Sequence, residues 1–501
     1  MNLKEVRDLL KDHDLLISYA NLEMDQDQNV ASIAIDTKGI KEGSVFICRQ
    51  GYRYDSHALV DEAIHLGVKA IVVERPVNIE HIPIFLVRDS RMAEAILASS
   101  FFGSPHEKLK VYGVTGTNGK TTISTMIHFI MNMIGKSGSL VGTVNNVVVD
   151  RTIDSVNTTP PALDIAQYAR ETLDKGGEFL SVEVSSHALT LKRVESLRFD
   201  VGILTNITQD HLDFHKNMDD YAMTKFQLFR LLKEKGTAIL NIEDPYASRF
   251  VSMLPMDVHV VTYGLNGCSN KPDYSADCVK IGLEGVSFDL LYKGKKIGHV
   301  HSPLIGMHNV SNLLAVIALL LREGIPLEEI LLQISRFRGV EGRFEIYTRV
   351  GQDIDLVIDF AHTPDALQKT LETAKMLTRN RIIAVFGAGG EADIGKRPIM
   401  GKIASDLCDV AIVTSDNPKS EKPMEIIRQI EEGISHQIPY LLIEDRRIAI
   451  ETALNIAGKG DMVILAGKGH ERFQIVGGTY LPFSDRDIAF QMVRDLKRRV
   501  S

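Results

Sequence analysis

The chain lacks tryptophan, has few cysteines and has no long apolar run, and the last two features each argue against a class of protein. The four cysteines show no C-x-x-C spacing, which argues against a disulfide scaffold and indicates thiols in a reducing compartment. The longest apolar run, near residues 316–321, is far too short to span a bilayer. Residues 1–8 carry acidic side chains and no apolar core, unlike a signal peptide. We therefore expect a cytoplasmic protein.

Basic residues are also fewer than acidic ones, with 57 Lys and Arg against 65 Asp and Glu. The formal net charge is −8, so we expect neither nucleic acid nor a membrane as a partner. With 44% hydrophobic and 24% charged residues, the composition is ordinary for a globular protein. A chain of 501 residues is too long for one hydrophobic core, and this length predicts about three domains.

A glycine-rich loop is the most informative feature that the chain does contain. After an apolar strand at 111–114, the sequence runs Thr115, Gly116, Thr117, Asn118, Gly119, Lys120, Thr121, Thr122. The backbone N–H groups of such a loop, and of the helix behind it, bind phosphate. Lys120 would reach the outer phosphates, and the Thr121 hydroxyl would bind Mg²⁺. Val114 stands where the usual pattern has glycine, so a turn that binds nothing is the alternative to an ATP and Mg²⁺ site.

Hydrophobic patterning predicts an α/β protein with three domains. Residues 1–107 form a small α/β N-terminal domain, and residues 108–342 form a central P-loop ATPase-type domain around a mostly parallel sheet. Residues 343–501 form a C-terminal, Rossmann-like, doubly wound sheet. Its predicted strands are 356–359, 382–386, 410–414, 441–444 and 462–465.

Acidic and histidine residues follow two predicted strands of the central domain. The strand at 179–184 leads to Glu183 and His187, and the strand at 201–205 leads to Asp210 and His211. Near a phosphate loop, such side chains can complete a Mg²⁺ shell, for which Glu183 is a natural ligand and His211 a less usual one. The alternatives are histidines that only form loop hydrogen bonds, and a zinc site, which the lack of an H-E-x-x-H helix disfavours.

Nine short motifs occur in order along the chain, at 115–122, 157–160, 183–189, 206–215, 221–229, 308–312, 342–345, 359–365 and 467–471. Together they resemble the motifs of the Mur ligase family, in particular its MurE branch. The resemblance covers essentially the whole chain and shares its three-domain layout. It implies that the N-terminal domain binds a UDP-sugar, the central domain ATP and the C-terminal domain an amino acid.

The resemblance also implies roles for individual residues. The implied ATP contacts are Gly116, Thr117, Asn118, Gly119, Lys120, Thr121, Thr122, Asn309, Arg343 and Asp359. The implied contacts to UDP-N-acetylmuramoyl-L-alanyl-D-glutamate are Thr37, Thr158, Thr159, Ser185 and Arg193. The implied contacts to the incoming diamino acid are Arg397, Asp416, Asn417, Pro418, Lys419, Gly467 and Glu471. The implied catalytic set is Lys120, Lys225, Glu183 and His211, and the implied Mg²⁺ ligands are Thr121, Glu183, His211 and Lys225.

Lys225 resembles a lysine that is carbamylated in the family. Reaction with carbon dioxide turns an ammonium that Mg²⁺ would repel into an anion that can bind it. Without the surrounding motif, a lysine exposed on a helix would be the alternative. The implied reaction transfers the γ-phosphoryl group of ATP to the D-glutamate side carboxylate. The amine of the diamino acid then attacks the acyl phosphate, in a site that domain closure assembles.

The identity of the diamino acid depends on the C-terminal domain. Relatives that use meso-diaminopimelate carry Asp-Asn-Pro-Arg, whereas this chain has Lys419 as the last residue, which keeps the charge but loses the bidentate fork. The resemblance favours meso-diaminopimelate, with L-lysine as the alternative. Thr37 and Leu191 also depart from the family pattern, where serine and glutamine are usual.

Two other functions stay open. A folylpolyglutamate synthetase shares the phosphate loop but lacks this kind of N-terminal domain and the motif at 467–471. A nucleotide-dependent binding or regulatory protein without catalysis would not need Lys120, Glu183, His211 and Lys225 together. We expect the chain to act as a monomer.

Overall fold

The computed structural model describes residues 1–22, 28–51, 55–265, 271–350, 353–435 and 437–500. They belong to two compact units, each built from separate stretches of the chain. Unit 1 comprises Met1–Thr115, Gly135–Gly202 and Gln227–Thr237, and unit 2 comprises Gly116–Ile134, Ile203–Phe226 and Ala238–Ser501. Within the described ranges, no helix has the length and apolarity to cross a membrane. Cys48, Cys278 and Cys408 are free thiols, and Cys268 lies outside the described residues.

The first hundred residues lie in unit 1 and form a sheet with helices on both faces. Its elements are α1 (Leu3–Asp12), β1 (Leu16–Ala20), β2 (Ile33–Ala34), β3 (Val45–Ile47), α2 (Val60–His65), β4 (Ala70–Val73), β5 (Ile84–Val87) and α3 (Ser90–Phe101). The five strands lie in the order β1-β5-β4-β3-β2, with β1 antiparallel to β5 and the other pairs parallel. Alternate residues of β3 pack against opposite sides, Val45 with α1 and α3, and Phe46 with α2.

The middle of the chain alternates strands and helices and contributes to both units. Its elements are β6 (Lys110–Thr115), α4 (Lys120–Met133), β7 (Gly138–Val141), β8 (Asn145–Val148), β9 (Arg151–Asp154), α5 (Ala162–Asp174), β10 (Phe179–Glu183), α6 (Ser186–Thr190), β11 (Phe199–Leu204), α7 (Met218–Arg230), β12 (Leu232–Asn241), α8 (Ala247–Met253), β13 (His259–Leu265), β14 (Tyr274–Gly282), β15 (Gly285–Tyr292), β16 (Lys295–Ser302), α9 (Met307–Arg322) and α10 (Leu327–Arg336).

In this middle part of the chain, strand β10, which carries the candidate residue Glu183, pairs in parallel with its neighbours. In unit 1, β10 pairs in parallel with β6 and with β7, and Glu183 ends β10 opposite Val114 of β6. Antiparallel β8 and β9 extend this sheet from β7. In unit 2, β13 pairs in parallel with β14, whereas β14, β15 and β16 are antiparallel. The mostly parallel sheet that the sequence predicts is confirmed, and β14, β15 and β16 form an antiparallel patch in unit 2.

The last part of the chain lies in unit 2 and forms a doubly wound sheet. Its elements are β17 (Glu345–Val350), β18 (Ile354–Asp359), α11 (Pro364–Leu377), β19 (Ile382–Phe386), α12 (Lys396–Leu407), β20 (Val410–Thr414), α13 (Pro423–Glu431), β21 (Tyr440–Ile443), α14 (Arg446–Ile456), β22 (Met462–Ala466), β23 (Phe473–Val476), β24 (Thr479–Pro482) and α15 (Asp485–Val500). The six-stranded sheet has the order β17-β18-β22-β19-β20-β21, and β17 is its antiparallel edge. Strands β23 and β24 form a separate hairpin.

Apolar residues of this sheet alternate between two cores. Val357 of β18 packs on the side of α11, α12 and α13, whereas Leu356 and Ile358 pack on the side of α14 and α15. Because each fully buried aliphatic side chain contributes about 1.5–3 kcal/mol, both faces must be covered. The parallel strands therefore bring the residues that follow β18, β20 and β22 to one edge of the sheet.

Candidate functional site

The phosphate loop requires glycine at two positions. Gly116 has φ +148°, and a Cβ there would lie 1.8 Å from Thr205 Oγ1. Gly119 has φ +88°, and its Cβ would lie 2.6 Å from Asn312 Oδ1. Only glycine tolerates this combination of backbone angle and close approach. The loop therefore lies close to Thr205 and Asn312, and α4 begins directly after it at Lys120.

Two lysine amines converge on this loop. Lys120 Nζ donates to the carbonyl oxygens of Gly116 and Thr117, each at 2.8 Å. Lys225 Nζ, from α7, donates to the same Gly116 oxygen at 2.8 Å. Lys225 is 1% exposed and lies 4.3 Å from the ring centre of Tyr221, one helical turn away. Burial, together with the charge of Lys120, lowers the pKa of Lys225 well below its ordinary value. A neutral amine is therefore favoured at Lys225.

An acid and a histidine stand next to each other after β11. Asp210 Oδ2 lies 3.2 Å from His211 Nε2, and Asp210 Oδ1 lies 3.9 Å from Nζ of the buried Lys396. Burial raises the pKa of Asp210, but the charges of His211 and Lys396 outweigh it and bring the pKa to about 2. His211 has φ +54°, a left-handed conformation that is uncommon outside glycine. Asp210 thus supplies a permanent negative charge beside the predicted ligand His211.

A cavity of about 580 Å³ lies beside the loop, entirely within unit 2. This volume is typical of small-molecule sites. Six of the ten residues predicted to contact ATP line it, namely Asn118, Gly119, Thr122, Asn309, Arg343 and Asp359.

Arg343 ties the C-terminal sheet region to the phosphate loop. Its Nη2 donates to Thr121 Oγ1 at 3.0 Å, and its guanidinium lies 4.5 Å from the ring centre of Phe360. The Asp359 carboxylate accepts three hydrogen bonds from its neighbours, from the N–H groups of Phe344 and Ala361 and from Thr370 Oγ1. Asp359 therefore shapes the cavity wall through the backbone around it.

A buried histidine also lines the cavity. His308 Nε2 lies 3.2 Å from Asn309 Nδ2, and Nδ1 has no hydrogen-bond partner among the described residues. Burial and the charge of Lys369 lower the pKa of His308 to about 4, so the imidazole is neutral near pH 7. The cavity thus offers a neutral, unsatisfied polar ring next to Asn309.

The predicted sugar-peptide contacts fall in unit 1, and most of them cluster there. Thr159 Oγ1 donates to the Glu183 carbonyl oxygen at 2.7 Å and lies 3.2 Å from Ser185 Oγ. Arg193 Nη1 donates to the Thr159 carbonyl oxygen at 2.6 Å. Thr158 joins the cluster through Thr143, whose N–H and hydroxyl both donate to the Glu183 carboxylate.

Thr37 lies in a different part of unit 1. It begins a short 3₁₀ turn, Thr37–Gly39, in which Asp36 Oδ1 accepts from the Gly39 N–H at 2.8 Å. No contact joins Thr37 to Thr159 or Arg193 in the described hydrogen bonds.

The predicted amino-acid contacts gather at one edge of the C-terminal sheet. Asn417 Nδ2 donates to Glu471 Oε2 at 2.8 Å, which joins the loop after β20 to the loop after β22. Lys419 has φ +53°, and its N–H donates to the Ile475 carbonyl oxygen in β23. Gly467 lies against Asp416, whose Oδ2 a Cβ at Gly467 would approach to 2.4 Å.

Arg397 has a tighter set of partners than the sequence indicates. It is fully buried, and its Nη1 and Nη2 donate to the two carboxylate oxygens of Glu421 at 2.8 and 3.0 Å. Gln429 Oε1 and the Gly389 carbonyl oxygen accept from the same guanidinium. A direct contact of Arg397 with a substrate carboxylate would require Glu421 to release this fork.

Several buried ionic residues of the site are missing from the residues predicted from sequence. They are Lys396, Arg446 and Lys468. The partly buried Phe360 and Glu421 were not predicted either. Lys468 lies inside the quoted motif at 467–471, so position in a motif was an available signal. Lys396 and Arg446 carry no such local signal, because tertiary pairing decides their burial. Among the described residues, no three His, Cys, Asp or Glu side chains converge in a way that could hold a metal.

Comparisons with known proteins cover almost all of the chain. Residues 29–113 match the model "Mur ligase family, catalytic domain", residues 114–320 the "Mur ligase middle domain" and residues 342–469 the "Mur ligase, glutamate ligase domain". A Clostridium acetobutylicum protein named UDP-N-acetylmuramoyl-L-alanyl-D-glutamate--2,6-diaminopimelate ligase 1 is 38% identical over 99% of this chain and 100% of its own length. A Syntrophomonas wolfei protein named as the 2,6-diaminopimelate ligase of the same kind is 40% identical over 93% of this chain and 95% of its own length.

Similarity to solved structures agrees with this result. The structure of a UDP-N-acetylmuramoyl-L-alanyl-D-glutamate--2,6-diaminopimelate ligase covers 100% of this chain and 99% of its own, with a TM-score of 0.67 and 28% identity. Sequence and fold therefore point the same way. The chain belongs to the Mur ligase family, whose members are ATP-dependent, Mg²⁺-requiring amide-bond ligases.

Proposed function

We propose that this ligase joins meso-diaminopimelate to the D-glutamate of UDP-N-acetylmuramoyl-L-alanyl-D-glutamate, a step of peptidoglycan synthesis. The γ-phosphoryl group of ATP passes to an oxygen of the glutamate side carboxylate, and ADP leaves. The amine nitrogen then attacks the acyl carbon, inorganic phosphate departs with the C–O bonding pair, and the nitrogen loses a proton as the amide forms. The names of the relatives support this substrate pair.

The observation that carries the proposal is the pair of lysine amines on one carbonyl oxygen. Two ammonium groups on the Gly116 oxygen in a buried site would repel each other strongly, and this repulsion and burial lower the pKa of Lys225 and favour its neutral form. A neutral amine can attack carbon dioxide, forming a C–N bond and passing a proton to solvent. The resulting carbamate is an anion, so repulsion from Lys120 turns into attraction.

The donor types near the loop support a Mg²⁺ site, because Thr121 offers a hydroxyl oxygen and a carbamate on Lys225 would add a carboxylate-like anion. We propose that Thr121, His211 and carbamylated Lys225 hold the ion. When bound, Mg²⁺ offsets the negative charge that develops on the transferring phosphoryl group. Lys120 contributes a fixed positive charge to the same end, and Asp210 keeps His211 in place through their 3.2 Å contact.

ATP occupies the 580 Å³ cavity in this proposal. The N–H groups at 116–122 bind its phosphates, and Asn309 and His308 line the same cavity. Arg343 is held by Phe360 and reaches Thr121, so it links nucleotide binding to the C-terminal sheet. Asp359 acts by anchoring the Phe344 and Ala361 backbone beside Arg343.

The other two substrates use the clusters described in each unit. In unit 1, Thr158, Thr159, Ser185 and Arg193 contact the UDP-muramoyl dipeptide, with Thr37 on its nucleotide side. In unit 2, the diamino acid meets Asp416, Asn417, Pro418, Lys419, Gly467 and Glu471, with Arg397 behind them. We further propose domain boundaries after residues 107 and 342, action as a monomer, and a cytoplasmic location where ATP and UDP-linked precursors are available.

L-Lysine is the second candidate for the incoming amino acid, because of two observations. Lys419 cannot offer a bidentate fork to a second carboxylate, and the fork of Arg397 is occupied by Glu421. Both features weaken recognition of the carboxylate that distinguishes meso-diaminopimelate from lysine.

The test is phosphate release from ATP in the presence of the muramoyl dipeptide and each diamino acid in turn. We expect release that depends on both co-substrates and is faster with meso-diaminopimelate. A strong preference for L-lysine would overturn the assignment of the amino acid. Nucleotide binding without co-substrate-dependent release would overturn the ligase proposal itself.

A further inference from the structure

Lys468 is a fully buried cation at the amino-acid edge of the C-terminal sheet. It follows the central strand β22 and is 0% exposed. Its Nζ donates to Glu471 Oε2 at 2.7 Å and to Asn417 Oδ1 at 3.0 Å. Burying an ammonium costs desolvation free energy unless the group is paired. These two contacts offset that cost for Lys468.

The contacts of Lys468 fix the orientation of Asn417. Asn417 Oδ1 accepts from Lys468 Nζ and from the Ile475 N–H, both at 3.0 Å, while its Nδ2 donates to Glu471. If the amide were reversed, its NH₂ group would face two donors and its oxygen would face a carboxylate. Lys468 therefore holds Asn417 in one orientation and positions Glu471 on the other side.

With Asp416, Glu471 and Lys468 all ionised, this cluster carries one net negative charge. Asp416 and Glu471 are the carboxylates, Lys468 is the cation between them, and Arg446 is neutralised by Asp485 through a fully buried pair. Asp416 Oδ2 is buried and has no hydrogen-bond partner among the described residues. An ammonium group of a substrate would supply both the missing donor and the missing positive charge.

Ionisation of the two carboxylates depends on Lys468. Burial raises the pKa of Asp416, but Lys468 and Arg446 outweigh it, so the net shift is downward. Burial raises the pKa of Glu471, Lys468 opposes this, and Asp416 adds to it, so the net shift is upward. Glu471 is thus the group whose charge Lys468 protects. The charged and titratable groups around the pair are Lys468, Arg446, Asp485, His362, His470 and Arg472.

We propose that Lys468 is a positioning residue for the incoming diamino acid: it holds Asn417 in one orientation and places its positive charge against the Glu471 carboxylate, so that this cluster binds an ammonium group. The inference rests on the proposed function, since it concerns the same amino-acid site. It adds a buried cation whose effect on the substrate is indirect, through two neighbours that touch it.

Removing the charge of Lys468 gives a signed pH dependence. Without it, the opposing effect of Lys468 is lost and the pKa of Glu471 rises further. As pH falls, Glu471 then gains a proton more readily than in the wild type, and the cluster loses its negative charge. The affinity for an ammonium group then falls, so the KM for the diamino acid rises as pH is lowered. In the wild type, Lys468 keeps this titration at lower pH.

The experiment measures phosphate release for the whole enzyme with wild type, Lys468→Met, Lys468→Gln and Lys468→Arg from pH 6 to 9. We expect the KM for the diamino acid to rise at least about tenfold at pH 7 in the Met and Gln variants, because an unpaired buried charge weakens a site by more than that factor. The increase grows as pH falls, while the KM for ATP stays unchanged. Lys468→Arg retains the charge and keeps the wild-type pH profile.

The controls separate positioning from folding. Gln preserves hydrogen bonding to Asn417 without the charge, so it gives the same readout if the Met variant does not fold. Lys402→Met changes an exposed lysine of α12, 71% exposed beside Asp406, and leaves every KM as in the wild type. Adding Glu471→Gln to Lys468→Gln removes the new pH dependence.

The outcomes distinguish this inference from the proposed function. Wild type that releases no phosphate with any diamino acid overturns the proposed function. Wild type that turns over, together with Lys468→Gln that keeps the wild-type KM and pH profile, overturns the inference alone. Equal increases in the KM for all three substrates, with a lower melting temperature, also overturn it, because they indicate a purely structural role.

Discussion

The buried pair Arg446–Asp485 allows a prediction whose size follows from its geometry. Both side chains are 0% exposed, and two hydrogen bonds join them, Nε to Oδ1 at 2.7 Å and Nη2 to Oδ2 at 2.6 Å. Arg446 Nη2 also donates to the carbonyl oxygen of Ala466, the last residue of β22. The pair therefore connects the starts of α14 and α15 to the end of β22.

Replacing Arg446 with methionine leaves the Asp485 carboxylate buried without its cation. Breaking a buried pair from one side costs about 3–5 kcal/mol, because the remaining charge is uncompensated. Replacing both partners with apolar residues is close to neutral, since desolvation of both charges is also avoided. We thus expect Arg446→Met to lower the local stability of β22 and α15 by about 3–5 kcal/mol, and Arg446→Met with Asp485→Leu to recover most of that loss.

Native-state hydrogen exchange of the amides in β22 and α15 measures this free energy directly. The expected change is roughly a hundred- to several-thousand-fold faster exchange in the single variant. Lys402→Ala, which removes the exposed pair with Asp406, should change the same amides by less than about 0.5 kcal/mol. A single variant within about 1 kcal/mol of wild type, or a double variant no more stable than the single, would refute the argument.

Three further predictions concern the reaction. Lys225→Ala should lose nearly all turnover and regain part of it with short-chain carboxylic acids that replace the carbamate; full activity in the alanine variant contradicts the assignment. Lys120→Ala should weaken ATP binding in a direct titration, since its Nζ lies at the loop carbonyls of Gly116 and Thr117, and unchanged ATP affinity rules out its phosphate role. Lys419→Arg should raise the kcat/KM ratio of meso-diaminopimelate to L-lysine by about tenfold, because a charged bidentate contact adds roughly 1.5 kcal/mol or more, and an unchanged ratio shows that this position does not read the second carboxylate.

The C-terminal sheet was largely predictable because buried parallel strands are continuous apolar runs. The run at 382–386 is β19, and the run at 410–414 is β20, with the same bounds. Strands with exposed residues were missed for the same reason. The four residues of β24 are all exposed, and four of the five residues of β1 are too, so neither shows an apolar pattern.

The N-terminal strands show a second limit of sequence patterns. The apolar run at 30–35 contributes only Ile33–Ala34 to the sheet. Val30 and Ile35 are buried although they lie outside the strand. An apolar run therefore does not show how many of its residues pair, because pairing depends on the neighbouring strand β3.

The phosphate loop was recognisable because its chemistry lies in consecutive residues. The pairing of Arg397 with Glu421 was not, since the two positions lie 24 residues apart and meet only through the packing of α12 near the loop before α13. The same holds for Arg446 and Asp485, which lie 39 residues apart. Charged residues in the sequence indicate exposure by default, and tertiary pairing reverses this expectation.

The bidentate pair of Arg397 and Glu421 places a cation at the amino-acid edge of the C-terminal sheet whose charge is neutralised by its partner. As long as both Nη groups of Arg397 donate to Glu421, the carboxylate neutralises the guanidinium and the pair presents no net charge to a ligand. A neutral residue at position 421 would leave the positive charge of Arg397 uncompensated, near Asn417 and Lys419. A single substitution at position 421 would therefore change the net charge at this edge of the sheet.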